Sequence, residues 1–385
     1  LVAEMKILCT RFEQIILFPR RIDSKCKRRE IPPNAEVSML LCSGTKNRPK
    51  RFRPILLMRT FWLYLRCLIL EGNWTYLRHW KFFSSRIYRE ICASEILIEF
   101  LRSRRISSAT AYNYWAFGNA LSIGLLRKKK IIARAICRCH GYDLYDERWS
   151  LGIVPFRRMV SNFFDAILPI SEFGSKYLRE RLSDANSHKV KTSYLGIENS
   201  SISTPLIPGF DSHLVVSCSS LVPLKRVSLI PRLLASAGLP IRWVHFGEGE
   251  TRAEIESVVQ GLPPSIRCEL RGQVGNSEIL RFYRESAITC FLSLSSSEGL
   301  PFSMIEAISC GIPVVACKVG GVAEIVNEKT GILLEEQMNL EEWTIAFRKI
   351  LTGETVFDRE GIIRFQKERF FAEKNYEKFV NEYLL

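Results

Sequence analysis

Several kinds of motif are missing from this 385-residue sequence. No Cys-X-X-Cys pair occurs among the 12 cysteines, which argues against a zinc ribbon or a redox dithiol. No run reaches about 18 uncharged apolar residues, so no membrane-spanning helix is predicted. No internal repeat and no signal peptide are visible, and 22 Gly and 16 Pro are near-average counts that exclude collagen-like chains. Scattered cysteines without such motifs suit a reducing cytoplasm.

The composition is that of a globular protein with an uneven distribution of charge. Hydrophobic residues make up 47% of the chain and charged residues 25%, which is enough apolar surface to bury a sizeable core. Residues 1–210 contain 36 basic and 17 acidic residues, a formal charge of +19, whereas residues 211–385 carry −4. The basic half predicts an anionic partner, or it is a solubilising surface.

Strand-like and helix-like segments alternate along the second half, which predicts a doubly wound parallel sheet. A weaker alternation begins near Ser107, with strands predicted in the segments ATAYNYW, IIARAICRCHG, DAILPISE and VKTSYLGI. Before Ser107, two further strands are predicted in EQIILFPRR and VSMLLC. We therefore predict an α/β protein with two Rossmann-like domains, residues 1–200 and 213–365, joined by a Ser- and Pro-rich linker, residues 201–212. A helix over about 366–385 is expected to pack back on the first domain.

The stretch from Lys50 to Lys81 has a distinct composition. Arg59 and Arg66 lie seven positions apart on one helix face, nearly everything else from Ile55 to Leu70 is apolar, and Lys50, Arg51 and Arg53 precede it. Six aromatic residues crowd this stretch: Phe61, Trp62, Tyr64, Trp74, Tyr76 and Trp80. The pattern fits a helix in a membrane interface, and it also fits a helix buried between parts of the first domain.

The most informative segment is residues 295–334, SSSEGLPFSMIEAISCGIPVVACKVGGVAEIVNEKTGILL. A strand leads into a loop, and a helix then begins near Pro301 and ends at Gly311. Its first-turn N–H groups, at Phe302 and Ser303, would form an anion site suited to a phosphate or diphosphate. Glu298 and Glu306, eight positions apart, would accept hydrogen bonds from sugar or ribose hydroxyls.

This segment resembles the E-x7-E region of family-four retaining glycosyltransferases, which have the two-domain GT-B fold with a cleft between the domains. Glu298 and Glu306 match the two glutamates, of which the first contacts the transferred sugar and the second the nucleotide ribose in that family. The resemblance implies a polysaccharide-biosynthesis enzyme that moves a hexose from a nucleotide sugar to a glycan or lipid-linked acceptor with retention.

Other donor-site positions follow from the same resemblance. VSCSSLVPLKRVSLI resembles the loop whose Arg and Lys grip the donor diphosphate; Lys225 matches the Lys, and Ser220 stands where the family has the Arg. We hypothesise that Arg226 replaces that missing arginine. The turn HFGEGE includes Gly247, and RGQV, with Arg271 and Gly272, matches the loop that reads the base. Gly299 and Leu300 complete the donor loop that precedes Phe302.

In the first half, ARAICRCHGYDLYDER resembles the stretch that places a histidine at the substrate site, and His140 matches it. Tyr142 and Asp143 are candidate acceptor-loop residues, whereas Ser171 is expected to cap the next helix. The sequence contains no Asp-X-Asp carboxylate pair that would indicate a bound metal. We therefore expect the protein to use neither a metal nor a cofactor.

The beginning of the chain departs from the family pattern. Relatives have a strand and a glycine-rich loop before a helix resembling VAEMKILCTRF, so the first domain is expected to lack its first strand. An inactive truncated relative is therefore an alternative, as are a nonhydrolysing nucleotide-sugar epimerase and a basic nucleic-acid-binding protein. The favoured interpretation has no nucleic-acid partner: a cytoplasmic enzyme, peripheral on the inner face of the plasma membrane and attracted by anionic lipid.

Overall fold

A computed structural model describes residues 2–20, 31–42, 53–117, 120–198 and 213–385. The chain divides into two compact units, and each is described by itself. Unit 1 comprises Leu1–Tyr194 and Glu373–Leu385, and unit 2 comprises Leu195–Ala372. The predicted linker, residues 201–212, lies outside the described residues, as do Lys50 and Arg51.

Unit 1 contains two separate groups of parallel strands. β1 pairs with β2, and a three-stranded sheet has the order β3-β4-β5. The strands are β1 (Ile15–Leu17), β2 (Ala35–Val37), β3 (Thr110–Asn113), β4 (Arg134–Cys139) and β5 (Ala166–Pro169). The helices are α1 (Val2–Arg11), α2 (Arg53–Glu71), α3 (Thr75–Arg78), α4 (Trp80–Ser103), α5 (Leu121–Lys128), α6 (Gly141–Leu144), α7 (Arg157–Ser161), α8 (Glu172–Arg179) and α9 (Asp184–Ser187).

Two strand predictions for unit 1 are wrong. The strand expected in VSMLLC lies earlier, in β2, and Met39–Leu41 forms a 3-10 turn instead. VKTSYLGI forms no strand and makes only isolated bridges, from Val190 to Ile167 and from Ile197 to Phe371. Apart from these bridges, the segment has no neighbouring strand aligned with it over several residues.

Helices α2 and α4 pack against each other and build the core of unit 1. On α4, Phe83, Ile87 and Ile91 recur every four residues and are fully buried, as helical periodicity requires. α2 ends at Gly72, whose φ of +60° suits the left-handed residue that terminates many helices. None of the described helices is long and apolar enough to cross a membrane.

A buried charge network joins β4 to its neighbours. Arg138 has no solvent exposure and donates to the Tyr112 hydroxyl on β3 (2.7 Å), to the Ser193 carbonyl (2.9 Å) and to the carboxylate of Glu4 on α1 (3.3 Å). Its guanidinium also lies 4.5 Å from the ring centroid of Phe379. This side chain therefore ties the first helix and the end of the chain to the sheet.

Unit 2 is built on one six-stranded parallel sheet of order β11-β10-β9-β6-β7-β8. Because β6 lies between β7 and β9, the chain changes direction across the sheet at the β6–β9 boundary. The strands are β6 (His213–Cys218), β7 (Ile241–Phe246), β8 (Ile266–Leu270), β9 (Cys290–Ser293), β10 (Val314–Cys317) and β11 (Gly331–Leu334). The helices are α10 (Leu229–Ala237), α11 (Arg252–Gln260), α12 (Asn276–Glu285), α13 (Phe302–Ser309), α14 (Leu340–Leu351) and α15 (Arg359–Phe370).

The last helix, α16 (Ala372–Phe379), continues into a π-helical turn, Val380–Leu384. Phe379 and Val380 are buried in one cluster with Leu8 and Ile136 of unit 1. The segment that packs back therefore begins at Glu373 and not near residue 366, because residues 366–370 belong to α15 in unit 2. A change of backbone direction at Phe371, whose ψ is 125°, separates the two helices.

Candidate functional site

The β6–β9 boundary brings together two loops of opposite charge. Lys225 lies in a short 3-10 turn after β6, and Glu298 lies in the loop after β9. Lys225 Nζ is 2.5 Å from Glu298 Oε1, and a backbone bond from Ser296 N to Leu224 O (2.9 Å) holds the two loops together. In open α/β sheets, ligands bind at the carboxyl ends of the strands where the strand order reverses.

The Glu298 loop is packed tightly by the turn after β10. Gly320 has a φ of +53°, and a Cβ atom placed on it would lie 1.8 Å from the Glu298 carbonyl oxygen. Gly321 N donates to Gly299 O at 3.1 Å. Glu298 itself is 5% exposed and Leu300 is buried. Only glycine at position 320 permits this approach, so the backbone that carries Glu298 is fixed in place.

A second close approach joins the loops after β7 and β8. Gly247 N donates to Gly272 O at 2.8 Å, and both glycines have positive φ values, +144° and +71°. A Cβ atom on Gly247 would lie 1.8 Å from Ser219 O, so this turn also touches the loop after β6. The Arg271 guanidinium lies 4.5 Å from the Phe282 ring centroid and pairs with Glu269.

Helix α13 begins where the sequence predicted. Pro301 is its N-cap residue, and its C-terminus is followed by Gly311 with a φ of +68°. The N–H groups of Phe302 and Ser303 precede the first intrahelical donor, Met304, which bonds to Pro301 O. The helix therefore directs N–H donors and the positive end of its dipole out of its first turn.

Glu306 lies on α13 close to the end of β6. Its carboxylate accepts a hydrogen bond from Asn276 Nδ2 at 2.7 Å, and burial raises its pKa. Burial also raises the pKa of the Cys218 thiol to about 12, with Glu306 raising it further and Lys225 lowering it. Lys225 and Glu306 thus both influence Cys218, which places a cation and a second carboxylate at the end of the same strand.

Arg226 does not stand where the hypothesis needed it. Its φ is +46°, and its guanidinium donates to Leu294 O (2.6 Å) and Ser295 O (3.1 Å). It therefore fastens the loop after β9 and has these donors committed to backbone carbonyls, which does not favour its replacing the arginine missing at Ser220. Ser220 is exposed and offers only a hydroxyl.

In unit 1, His140 follows β4 directly and caps α6. Its ring lies between Tyr114 and Trp115, at centroid distances of 4.7 and 4.4 Å. Only 9% of the residue is exposed, and neither ring nitrogen has a hydrogen-bond partner among the described residues. Burial, with a smaller contribution from Arg138, lowers the pKa of His140 to about 3, so the imidazole is neutral at neutral pH.

The two acceptor-loop candidates differ from each other. Tyr142 is 57% exposed and stacks on Trp149 at 5.3 Å. Asp143 is 1% exposed, and its two oxygens accept from His140 N (2.6 Å) and Ala116 N (2.5 Å). The expectation for Asp143 is therefore wrong, because both of its oxygens are used inside the fold. Burial raises its pKa to about 7.

The predicted helix cap is confirmed. Ser171 Oγ accepts from Gly174 N at 3.0 Å and so caps α8. Cys137 and Cys139 of β4 are fully buried and pack in the core. Across the described ranges, no group of three His, Cys, Asp or Glu side chains is arranged to hold a metal ion.

Sequence reasoning missed two residues at the carboxyl edge of the unit 2 sheet. Asn276, the partner of Glu306, begins α12 just after the loop RGQV, and its position after that loop was the available signal. Gly320 lies in the glycine pair after β10, whose steric role depends on a carbonyl 22 positions earlier in the chain.

Comparisons with known proteins bear on the family and the fold. Residues 209–377 match the family model described as "Glycosyl transferases group 1". The second half of the chain carries this similarity. An uncharacterized glycosyltransferase of Methanocaldococcus jannaschii is 27% identical over 229 residues, which are 59% of this chain and 61% of that protein. The sulfoquinovosyl transferase SQD2 of Arabidopsis thaliana is 32% identical over 96 residues, 24% of this chain and 18% of that protein. The matches thus cover less than two thirds of either relative.

Solved structures show the fold. The apo form of the lipopolysaccharide outer core galactosyltransferase WaaB superposes with a TM-score of 0.63 at 15% identity, over 76% of this chain and 79% of that one. Anabaena Alr3699/HepE in complex with UDP gives 0.59 at 16% identity, over 75% of this chain and 80% of that one. The chain therefore has the predicted GT-B class of α/β fold with parallel sheets.

Proposed function

We propose that this chain is a retaining glycosyltransferase of group 1 that moves a hexose from a nucleotide sugar to a glycan or lipid-linked acceptor. The observation that carries the proposal is the contact between Lys225 and Glu298 at the strand-order reversal of unit 2. A cation and a carboxylate at that point suit the two parts of a nucleotide sugar, an anionic diphosphate and a polyhydroxyl ring.

In the proposed complex, the diphosphate lies between Lys225 and the first turn of α13. Breaking the bond from the sugar to the diphosphate leaves extra negative charge on the nucleoside diphosphate. Lys225 and the N–H groups of Phe302 and Ser303 would stabilise that charge, which would lower the barrier without a metal. The ion pair with Glu298 must then loosen, because Lys225 would share its donors with the phosphate.

The carboxylates take the hydroxyl-binding roles. Glu298 accepts hydrogen bonds from the transferred sugar, and Glu306 accepts them from the ribose. The raised pKa of Glu306 reflects the burial of a carboxylate that accepts from Asn276 Nδ2, and ribose hydroxyls would satisfy its remaining acceptor positions. The base lies against the loops joined by the Gly247–Gly272 contact.

Unit 1 supplies the acceptor side. The neutral imidazole of His140 has nitrogens without partners in the described residues and can accept or donate one hydrogen bond to a substrate hydroxyl. The exposed ring of Trp115 lies 4.4 Å from the His140 ring, and exposed Tyr142 follows His140 by two positions; both rings suit packing against a sugar ring. The structures in complex with UDP and the galactosyltransferase named above support a nucleotide-sugar donor and a role in surface polysaccharide synthesis.

A ligand panel followed by product analysis tests the proposal. Uridine, guanosine and adenosine diphosphate sugars are compared by thermal shift, since a true donor stabilises the protein by RT ln(1 + [L]/Kd). Glu306→Gln should weaken donor binding about 5- to 100-fold, as expected for lost hydrogen bonds to a charged group. Glu298→Gln should reduce transfer more than it reduces binding.

Glu285→Gln, an exposed glutamate of the same unit, is the matched control and should bind and transfer normally. An epimerised nucleotide sugar with no transferred sugar would replace the proposal by the epimerase alternative. Absence of a shift with every donor would remove the proposal for this chain.

A further inference from the structure

The α2–α4 region of unit 1 presents an apolar surface to solvent. α2 turns Leu56, Thr60 and Cys67 into the core. Its opposite side exposes large apolar residues, and the turn into α3 adds a tryptophan that is 82% exposed. We call this surface the outer α2 face, defined by Ile55, Met58, Phe61, Trp62, Ile69 and Trp74. A helix buried between parts of the domain, the alternative left open by the sequence, would not expose these residues.

The exposure on this face is large. Trp62 is 64% exposed and Ile69 is 82% exposed, in positions seven residues apart that share one side of the helix. From Ile55 to Ile69 the face runs about 21 Å along α2, at 1.5 Å per residue. A continuous apolar strip of this length marks an interaction surface, because soluble surfaces rarely leave large apolar patches uncovered.

The charge around the outer α2 face is almost entirely positive. Residues 55–89 include six arginines and lysines and a single carboxylate, Glu71. Glu71 Oε1 accepts a hydrogen bond from Met159 N at 2.9 Å and so faces the protein. Arg66, Arg78 and Lys81 are exposed near the apolar residues. The face thus combines tryptophans with an excess of exposed positive charge from Arg66, Arg78 and Lys81, although Arg59 of α2 is paired with Glu95 of α4 at 2.6 Å.

These properties favour one kind of binding partner for the outer α2 face. A second copy of this chain would bring two positive faces together, and the neighbouring carboxylates Glu71 and Glu95 already accept from Met159 N and from Arg59 within the fold. A bilayer with anionic lipid satisfies both features, because headgroups attract arginine and lysine while tryptophan rings settle at the headgroup level. α2 would lie in the plane of the membrane, which agrees with its not being able to span it.

We infer that the outer α2 face docks unit 1 on an anionic lipid surface, with Trp62, Ile69 and Trp74 in the interface and Arg66, Arg78 and Lys81 at the headgroups. The inference stands apart from the proposed reaction, since vesicle binding requires no donor. It adds a membrane partner through a defined set of side chains, and it places the acceptor-side unit at the surface where a lipid-linked acceptor would be found.

Flotation with vesicles tests the inference on the full chain. Vesicles of phosphatidylcholine alone are compared with vesicles containing phosphatidylglycerol, at low and high salt. We expect the protein to float with the anionic vesicles and to be released by salt. Arg78→Gln together with Lys81→Gln should weaken binding about 25-fold, from roughly fivefold per basic residue near the surface.

The apolar contribution is tested by Trp62→Ala together with Trp74→Ala, which should reduce binding to anionic vesicles at least tenfold. Both residues are exposed, so the variant should keep the wild-type melting temperature. Val356→Ala, at an apolar site of unit 2 that is 79% exposed, and Arg281→Gln, at an exposed basic site, are the matched controls. Each control should float as the wild type does.

Three results would overturn the inference. Equal recovery with neutral and anionic vesicles, or equal losses in the face and control variants, would show that this surface does not hold the lipid. A concentration-dependent dimer in sedimentation that Trp62→Ala disrupts, with no vesicle binding, would assign the face to a second copy. Loss of vesicle binding with donor binding intact leaves the proposed function unaffected, and the reverse result leaves this inference unaffected.

Discussion

Two ion pairs with the same chemistry occupy opposite environments in the two units. Arg138 and Glu4 of unit 1 are sealed in the interior, each with no exposure. Lys225 and Glu298 of unit 2 lie at the carboxyl edge of a sheet, where Lys225 is 22% exposed. A sealed pair can act only on the fold, whereas a pair open at one side can exchange its partner for a ligand. The comparison separates a charge pair that stabilises the fold from a charge pair that is accessible to a ligand.

Removing the sealed cation should have the largest effect on stability. Arg138→Met leaves the buried Glu4 carboxylate with the Tyr112 hydroxyl as a donor but without a cation, so we expect the free energy of unfolding to fall by about 3–5 kcal/mol. Urea unfolding of the wild type and the variant measures this. Adding Glu4→Gln to Arg138→Met should restore part of the loss, because the uncompensated charge is then gone. A single-variant loss below about 1 kcal/mol would make the pair a minor part of the framework.

Two glycines, one in each unit, allow a comparison of how closely the surrounding atoms pack against a turn. Gly320 and Gly72 have similar φ values, +53° and +60°, but a Cβ atom would meet the Glu298 carbonyl at position 320 and nothing within 4 Å at position 72. Gly320→Ala should cost about 2–4 kcal/mol and Gly72→Ala about 1 kcal/mol, since both carry backbone strain and only the first carries a clash. Thermal and urea unfolding report both values. Equal losses would mean that the loop of Glu298 can shift.

Substitution of Lys225 in the accessible pair should change ligand affinity more than it changes the free energy of unfolding. Lys225→Gln should weaken the binding of uridine diphosphate about 10- to 100-fold, because one charge-assisted contact with phosphate is lost. Its free energy of unfolding should change by no more than about 1 kcal/mol, since the amide still donates to Glu298 and the site is partly exposed. Calorimetric titration measures the first quantity. Lys225→Arg is the control and should retain most of the affinity, while a variant with unchanged affinity would remove Lys225 from the diphosphate site.

The smallest effect concerns acid stability in unit 1. The His140 pKa is about 3 in the folded chain and about 6.5 when unfolded, so between these values only the unfolded chain gains this proton. Stability from this residue is therefore lost as the pH falls from 6.5 toward 3. His140→Gln should remove about 1 kcal/mol of that loss at pH 5.5, measured as the difference between the two unfolding curves.

The neighbouring Asp143 also contributes to the pH dependence of stability, but it does not affect this comparison. Its raised pKa of about 7 has the opposite sign, because the folded chain holds a proton that the unfolded chain releases above about 4. Its contribution is lost as the pH rises toward 7, and it is common to both proteins and cancels in the difference. A pH profile identical for His140→Gln and the wild type would show that the ring is hydrated.

Local sequence patterns were sufficient for most of unit 2. Alternating strand and helix periods, with glycines after the strands, predicted β6–β10 and α10–α13, since each element is defined by neighbours a few positions away. Helix α13 was located through Pro301 and Gly311 because both act through backbone geometry. The family resemblance was needed to select Glu298, Lys225 and Glu306 from the many charged residues.

Contacts between residues that are far apart in the chain could not be predicted from the sequence. Arg138 looks like any charge in a buried strand, and its partner Glu4 is 134 positions away. Arg226 was expected to bind phosphate by adjacency to Lys225, but its left-handed backbone turns the guanidinium to the loop after β9. Asp143 likewise was predicted as an acceptor-loop residue, and its two hydrogen bonds to backbone N–H groups hold it inside the fold.

The steric contact between Gly320 and the Glu298 carbonyl has a consequence for redesign. Under the proposed function, a protein engineer who wished to change the accepted sugar would have little freedom along the backbone from Glu298 to Gly299, because any side chain at position 320 displaces it. Side chains that reach the same edge from less constrained turns, such as exposed Ser220, offer room for substitution without rebuilding the loop. Libraries aimed at donor choice should therefore vary position 220 and leave the glycine pair after β10 untouched.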